Sequence, residues 1–242
     1  MISVGTKMRM RGGHHERGAM NTLIIPDVHE RYDTLLSLRP LMDQATRVVM
    51  LGDFWDTFKP DGKAKVMAEW VKAHCHDPKF DILYGNHDCH YAFTNGQFMC
   101  TGFKHQTRAS IQEVMETDDW SQFQLFTHVG KYVVSHAGFH PKTTKLMEQA
   151  SDAIDLAFAG EFHPLWSAGF ARGGSQPVGG PTWLDWKEEF TPIEGMPQIV
   201  GHTQGPDVRL KSASDGERSY CLDTGLKHVM WTDGDKVEMV GL

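Results

Sequence analysis

Five short clusters, Asp27-Val28-His29, Gly52-Asp53-Phe54-Trp55-Asp56, Gly85-Asn86-His87-Asp88, Ser135-His136-Ala137-Gly138 and Gly201-His202-Thr203-Gln204, carry the side chains best suited to chemistry. They offer carboxylates, imidazoles and a carboxamide, ligand types that suit divalent ions. Two such ions about 3.5–4 Å apart can activate a water and clamp a phosphoryl group for in-line displacement. One carboxylate must lie between them to offset their repulsion, and Asp53, central among the clusters, is the expected bridge. Asp27 and His29 alternate along an extended segment and reach one ion together if the strand yields to a loop between them. Asn86, His136 and His202 complete the second ion. His87 is then free of ligand duty. It is expected to protonate the leaving group, with Asp56 holding its tautomer.

Each cluster follows a short apolar run: Leu23-Ile24-Ile25, Val48-Val49-Met50-Leu51, Ile82-Leu83-Tyr84, Tyr132-Val133-Val134 and Gln198-Ile199-Val200. Continuous apolar runs of this length read as strands buried on both faces. Groups just past the carboxyl ends of such strands converge on one edge of a sheet, where open α/β folds bind ligands. Between the runs, Tyr32 to Ala45 has a helical spacing interrupted at Pro40, and Lys63 to His74 reads as a second helix. Lys59-Pro60-Asp61-Gly62 is a turn signal. Cys89 to Thr107 reads as irregular, followed by a short helix near Ser110 to Met115; Thr143 to Phe158 reads as helical. The tail after Pro206 reads as strands, with Asp233-Gly234 turning a hairpin between His228–Thr232 and Lys236–Val240. Strands alternating with helices indicate an α/β layered fold.

The length of 242 residues suits one large domain or one domain with an elaborated insertion. A net charge of −7 without a long Lys/Arg run argues against a broad nucleic-acid or anionic-membrane footprint. No apolar stretch approaches membrane-spanning length. Four cysteines without paired spacing indicate a reduced, intracellular chain, expected in the cytoplasm. Cys89, directly after the third cluster, reads as a bystander thiol. Residues 1–21 read as a flexible leader. Residues 22–242 read as the catalytic domain, with a Gly- and Trp-rich insertion at about 139–196 placed to cover the site as a lid. Trp183, Asp185 and Trp186 within it read as packing rather than substrate contacts.

Asp-x-His, Gly-Asp-x-x-Asp, Gly-Asn-His-Asp, His-Ala-Gly and Gly-His-Thr, in that order, resemble the calcineurin-like metallophosphoesterase superfamily over roughly Thr22 to Gly225. Within it the chain more closely resembles the serine/threonine-phosphatase branch, which includes the small bacterial and phage protein phosphatases and the diadenosine tetraphosphatases. Gln204 stands where the nuclease and phosphodiesterase branches have a second histidine. The resemblance implies a β-sheet sandwich flanked by helices. It places Asp27, His29 and Asp53 on one metal, and Asp53, Asn86, His136 and His202 on the other. His87 is then the general acid, oriented by Asp56, and Arg172 of Arg172-Gly173-Gly174 matches the family's second phosphate-binding arginine. The family's first such arginine, directly after the acid matching Asp56, is Thr57 here.

The implied activity is dimetal hydrolysis of a phosphomonoester through a metal-activated water. Manganese is the leading ion, with iron or zinc as alternatives. A phosphorylated small molecule, a nucleotide or a phosphoprotein is the expected substrate. A dinucleoside polyphosphate hydrolase is the alternative enzyme, and a catalytically inert scaffold the alternative non-enzyme, which the presence of all six ligands and His87 disfavours.

Overall fold

The computed structural model describes residues 21–57 and 62–242. The leader and most of the Lys59–Gly62 turn lie outside these described residues.

The first half is built from β1 (Thr22–Ile25), α1 (Tyr32–Ser37), α2 (Arg39–Gln44), β2 (Arg47–Met50), α3 (Ala64–Cys75) and β3 (Phe80–Ile82). Pro40 falls in the first turn of α2, where its missing N–H costs nothing, so the expected break becomes a boundary between two short helices. Next come α4 (Asn86–Ala92), α5 (His105–Gln112), α6 (Thr117–Trp120), β4 (Phe126–Val129) and β5 (Tyr132–Ser135). Then follow α7 (Ala150–Phe158), β6 (Gln198–Val200), β7 (Arg209–Ser212), β8 (Arg218–Cys221), β9 (His228–Thr232) and β10 (Val237–Gly241).

Two five-stranded mixed sheets form, ordered β10-β9-β1-β2-β3 and β4-β5-β6-β8-β7. In the first, β1, β2 and β3 run parallel, as helical crossovers require. The β9–β10 hairpin adds antiparallel at the β1 edge. In the second, β5, β6 and β8 run parallel.

Period-two alternation assigns each strand residue to a core. Ile24, Val49, Leu51 and Leu83 meet Tyr132, Val134, Ile199, Tyr220 and Leu222 between the sheets. Leu23, Ile25, Val48 and Met50 face the helical layer of Leu35, Met67, Val71 and Trp70. The outer face of the second sheet is covered from the insertion, by Leu184, Trp186 and Phe190 on Val200 and Cys221. A fully buried aliphatic side chain is worth roughly 1.5–3 kcal/mol, so burial on both faces fixes strand register firmly.

The stretch expected to be irregular after Cys89 is the clearest departure. Residues 86–92 are helical, a single tight turn follows at Gly96–Phe98, and the next helix covers His105–Gln112 rather than 110–115. Helix α4 has no amphipathic repeat to announce it. Its start is held by one half of a capping box, the Asp88 carboxylate accepting the N–H of Gly85, which precedes the helix, at 2.8 Å. The segment from Thr143 to Phe158 is helical as expected, but Thr144–Gln149 is wound as a tighter 3-10 turn before α7.

Candidate dinuclear metal centre

The carboxyl ends of β1, β2 and β3 lead to Asp27, Asp53 and Asn86, and those of β5 and β6 to His136 and His202. The strand ends of both sheets meet at a single locus. The Val28 and His29 amides donate to the Asp53 carbonyl at 3.1 and 2.8 Å, the Gly201 amide to the His136 carbonyl at 2.7 Å, and the His202 amide to both Asp27 oxygens at 2.9 and 3.1 Å. The turns are sharp, and His29, Asp53, Asp56 and His202 adopt positive φ of 46°, 52°, 65° and 65°. Such backbone is sparsely populated for non-glycine residues and concentrates at functional sites. Glycine is required where the carboxylates press on a neighbouring chain. A Cβ at Gly201 would overlap the Asp27 carboxylate, and one at Gly85 the Asp53 carboxylate.

Two ligand groups share Asp53: Asp27, His29 and Asp53 form one, and Asp53, His136 and His202 the other. His136 Nδ1 donates to the Leu51 carbonyl at 2.7 Å, and burial holds the ring below its ordinary pKa, so its Nε2 carries a bare lone pair. That atom faces Asn86 Oδ1 at 3.1 Å, His202 Nδ1 at 3.1 Å and Asp53 Oδ2 at 3.4 Å. His29 repeats the pattern: Nδ1 donates to the Trp55 carbonyl at 2.9 Å, and Nε2 faces Asp53 Oδ2 at 3.6 Å. Acceptors aimed at acceptors repel unless a cation lies among them. Asp27 is fully buried, and burial first, then the Asp223 and Asp53 charges, push its carboxyl well above the usual range. The donor set therefore fits two divalent ions on a common carboxylate, with main-chain carbonyls fixing the imidazole tautomers from behind.

A second layer surrounds His87. Its amide donates to Asp53 Oδ1 at 2.8 Å, and its Nδ1 lies 2.7 Å from Asp56 Oδ2. Burial opposes protonation of His87, but the Asp53 charge and the Asp56 hydrogen bond raise its pKa well above the ordinary imidazole value. Asp56 is buried, yet the bonds from His87 and Tyr91 and the close approach of His90 hold it below the usual carboxylate range. Tyr91 donates to Asp56 Oδ1, and His90 Nε2 sits 2.7 Å from Asp56 Oδ2, off the line of a good hydrogen bond. The Cys100-Thr101-Gly102 turn closes over the pair, with Gly102 at φ 105° lying against the Asp56 carboxylate and the His87 ring.

Arg172 reaches the same locus from the insertion. Its guanidinium donates to Thr203 Oγ1 at 2.8 Å and pairs with Asp185 at 2.9 Å; desolvation first, then the His136 and Arg172 charges, depress the pKa of His202. Trp183 stands edge-on to the His202 ring at 5.8 Å. Asp185 is more than packing, since it holds Arg172 and accepts the Lys187 and Glu188 amides. Trp186 packs on Phe190, as expected. The Cys89 thiol turns away to the Gly85 carbonyl at 3.1 Å.

All nine side chains singled out in the sequence thus come together. Sequence reasoning missed four others. Asp88 is fully buried and ties two of the loops into one body, accepting the Asp53, Phe54 and Gly85 amides at 2.7, 2.9 and 2.8 Å. His90, Tyr91 and Cys100 surround Asp56 and His87, and only the helical spacing of His87, His90 and Tyr91 along α4 could have signalled two of them.

A layered α/β scaffold whose strand ends gather two ligand groups on one carboxylate defines a dinuclear metallohydrolase. The family profile of calcineurin-like phosphoesterases matches residues 20–206, and the chain belongs to that family. It is accordingly a metal-dependent phosphoesterase. Among solved structures, it is similar to an I115M mutant of a cold-active protein tyrosine phosphatase, with 17% identity over 90% of this chain and 76% of that one and a TM-score of 0.61. The cold-active protein-tyrosine phosphatase of a psychrophilic Shewanella species gives 16% identity over 90% and 79%, with a TM-score of 0.58. At such identity the likeness concerns the fold. No curated protein matches the chain. Among the described residues no helix is long and apolar enough to cross a membrane.

Proposed function

We propose that the chain hydrolyses a phosphomonoester, with His87 as general acid and a pair of divalent ions, manganese foremost, held through Asp53. The observation that carries this reading is the Asp56–His87 pair, joined at 2.7 Å and set beside the shared carboxylate. Asp27, His29 and Asp53 would hold one ion, and Asp53, Asn86, His136 and His202 the other. When bound, the ions supply an activated water and offset the charge on the phosphoryl oxygens.

The chain's own residues do the rest. Asp56 occupies His87 Nδ1, which leaves Nε2 to deliver a proton to the departing oxygen. The Asp56 hydrogen bond favours the protonated ring. Arg172, oriented by Asp185 and Thr203, would grip a non-bridging phosphoryl oxygen with its remaining donors. Residues 139–196 supply Arg172 and Trp183 at the mouth of the site, which supports a role for this insertion in shaping access.

The test offers manganese-loaded protein p-nitrophenyl phosphate, an alkyl phosphomonoester and diadenosine tetraphosphate. Monoesters are expected to have the higher kcat/KM. A large preference for the dinucleotide would replace the monoesterase reading with the anhydride one. Absence of turnover on every substrate, with both ions bound, would favour the inert scaffold.

A further inference from the structure

Beside the dinuclear centre, and sharing no ligand with it, lies a third cluster of donors: His87, His90 and Cys100. None of the dinuclear ligands is sulfur. This cluster contains a thiol 3.2 Å from His90 Nδ1 and 3.9 Å from His87 Nδ1. A tetrahedral zinc with Zn–S of about 2.3 Å and Zn–N of about 2.1 Å places sulfur and nitrogen roughly 3.6 Å apart. The two observed separations straddle that value. Only small side-chain shifts separate this arrangement from a ligand set.

The surroundings of His90 are those of a metal ligand. Its side chain is fully buried, its Nδ1 faces the thiol, and its Nε2 lies 2.7 Å from the Asp56 carboxylate without a well-aligned hydrogen bond. A histidine ligand characteristically presents one ring nitrogen to the metal and the other N–H to a carboxylate, which fixes its tautomer. Cys100 is only half-buried, which gives an ion a route from solvent.

We propose that Cys100 Sγ, His90 Nδ1 and His87 Nδ1 form a third, inhibitory site for a thiophilic divalent cation of the zinc type. Binding forms one metal–sulfur and two metal–nitrogen bonds and releases the thiol proton to solvent. His87 Nδ1 then leaves Asp56 for the metal, so the imidazole no longer holds the orientation that proton delivery requires. This regulatory consequence rests on the general-acid reading of His87, whereas metal binding itself does not. Thiolate ligation selects zinc or cadmium over manganese or magnesium. The dinuclear centre offers zinc no thiolate, and excess manganese in the buffer keeps it manganese-loaded while the third site fills.

The experiment adds cadmium to the manganese-loaded protein and follows the ultraviolet thiolate-to-metal charge-transfer band, which exchange at the sulfur-free dinuclear centre cannot produce. Expected is a band saturating at one added equivalent, abolished in Cys100→Ser, weakened in His90→Ala and retained in Cys75→Ser. The last variant controls for the separate Cys75, His76 and Asp119 group. Zinc at the same stoichiometry should lower kcat on an alkyl phosphomonoester by about 10²-fold or more, as loss of a general acid does. In Cys100→Ser, kcat should be the same with and without zinc, whatever its basal value. No band, or a band that survives Cys100→Ser, overturns the site. A Cys100-dependent band with unchanged turnover overturns the inhibitory role while leaving the general-acid reading to its own test.

Discussion

The His87 main-chain amide donates to Asp53 Oδ1 at 2.8 Å, so the carboxylate shared by both ligand groups also fixes the proposed general acid. Asp53 Oδ2 faces His29 and His136 on the other side. The proposed metal sites and the proposed acid are therefore coupled through one side chain, and disturbance of either should be felt at the other.

His87→Ala should lower kcat by about 10²–10⁴ on an alkyl phosphomonoester and by much less on p-nitrophenyl phosphate. The nitrophenolate needs little help in leaving, whereas an alkoxide must be protonated. Steady-state kinetics on the two esters checks this. An equal loss on both would mean that His87 acts on binding rather than on proton transfer.

Asp56→Asn should move the alkaline limb of the kcat–pH profile toward lower pH. With His87 as the proposed acid its protonated form is the active one, so turnover is expected below its folded-state pKa and lost as pH rises through it. The Asp56 hydrogen bond is one of the interactions that raise that pKa, so its removal lowers the limb. An unmoved limb would separate Asp56 from His87 function.

Chelation should lower the melting temperature and abolish turnover together. Asp27, Asp53 and Asp223 are all buried, and bound cations offset their mutual repulsion. An ion present at 100 times its Kd adds about 2.7 kcal/mol. Calorimetry with and without chelator gives the measurement. Asp53→Asn should lose both ions at once by elemental analysis, and two retained tight ions would contradict the shared-ligand geometry.

Asp88→Asn should destabilise the fold without removing any group that faces substrate. Asp88 Oδ2 accepts two amides and Oδ1 a third, and an amide nitrogen cannot accept. Leaving buried donors unpaired costs on the order of 1–3 kcal/mol, and urea titration reads it. Unchanged stability would remove Asp88 from the loop clamp.

Arg172→Ala should raise KM for phosphomonoesters and weaken product inhibition by inorganic phosphate. Arg172→Lys should restore only part of the affinity, because the ammonium lacks the fork that lets Arg172 bond Thr203, Asp185 and an anion together. Wild-type KM in the alanine variant would leave Arg172 with a structural role only.

The sequence by itself determined the strands and their chemistry. Leu23-Ile24-Ile25 or Val48-Val49-Met50 can be buried on both faces only inside a layered fold. The side chains past such strands must fall at a common edge. That local logic named Asp27, His29, Asp53, Asn86, His136 and His202 without any knowledge of contacts. The Pro40 break and the Asp233-Gly234 hairpin were legible for the same reason, since backbone restriction acts within a few residues.

What lay beyond the sequence depends on partners distant along the chain. Helix α4 carries no apolar repeat, and the Asp88 carboxylate that caps it also binds amides from a loop 34 and 35 residues away. Arg172 meets Thr203 across 31 residues. Cys100 and His90 look like an ordinary thiol and an ordinary histidine until tertiary packing sets them 3.2 Å apart against Asp56. Hydrophobic periodicity is a one-dimensional signal and survives in the chain. The pairing of buried polar atoms is set only when the sheets close on each other, and that closure decided the surroundings of His87.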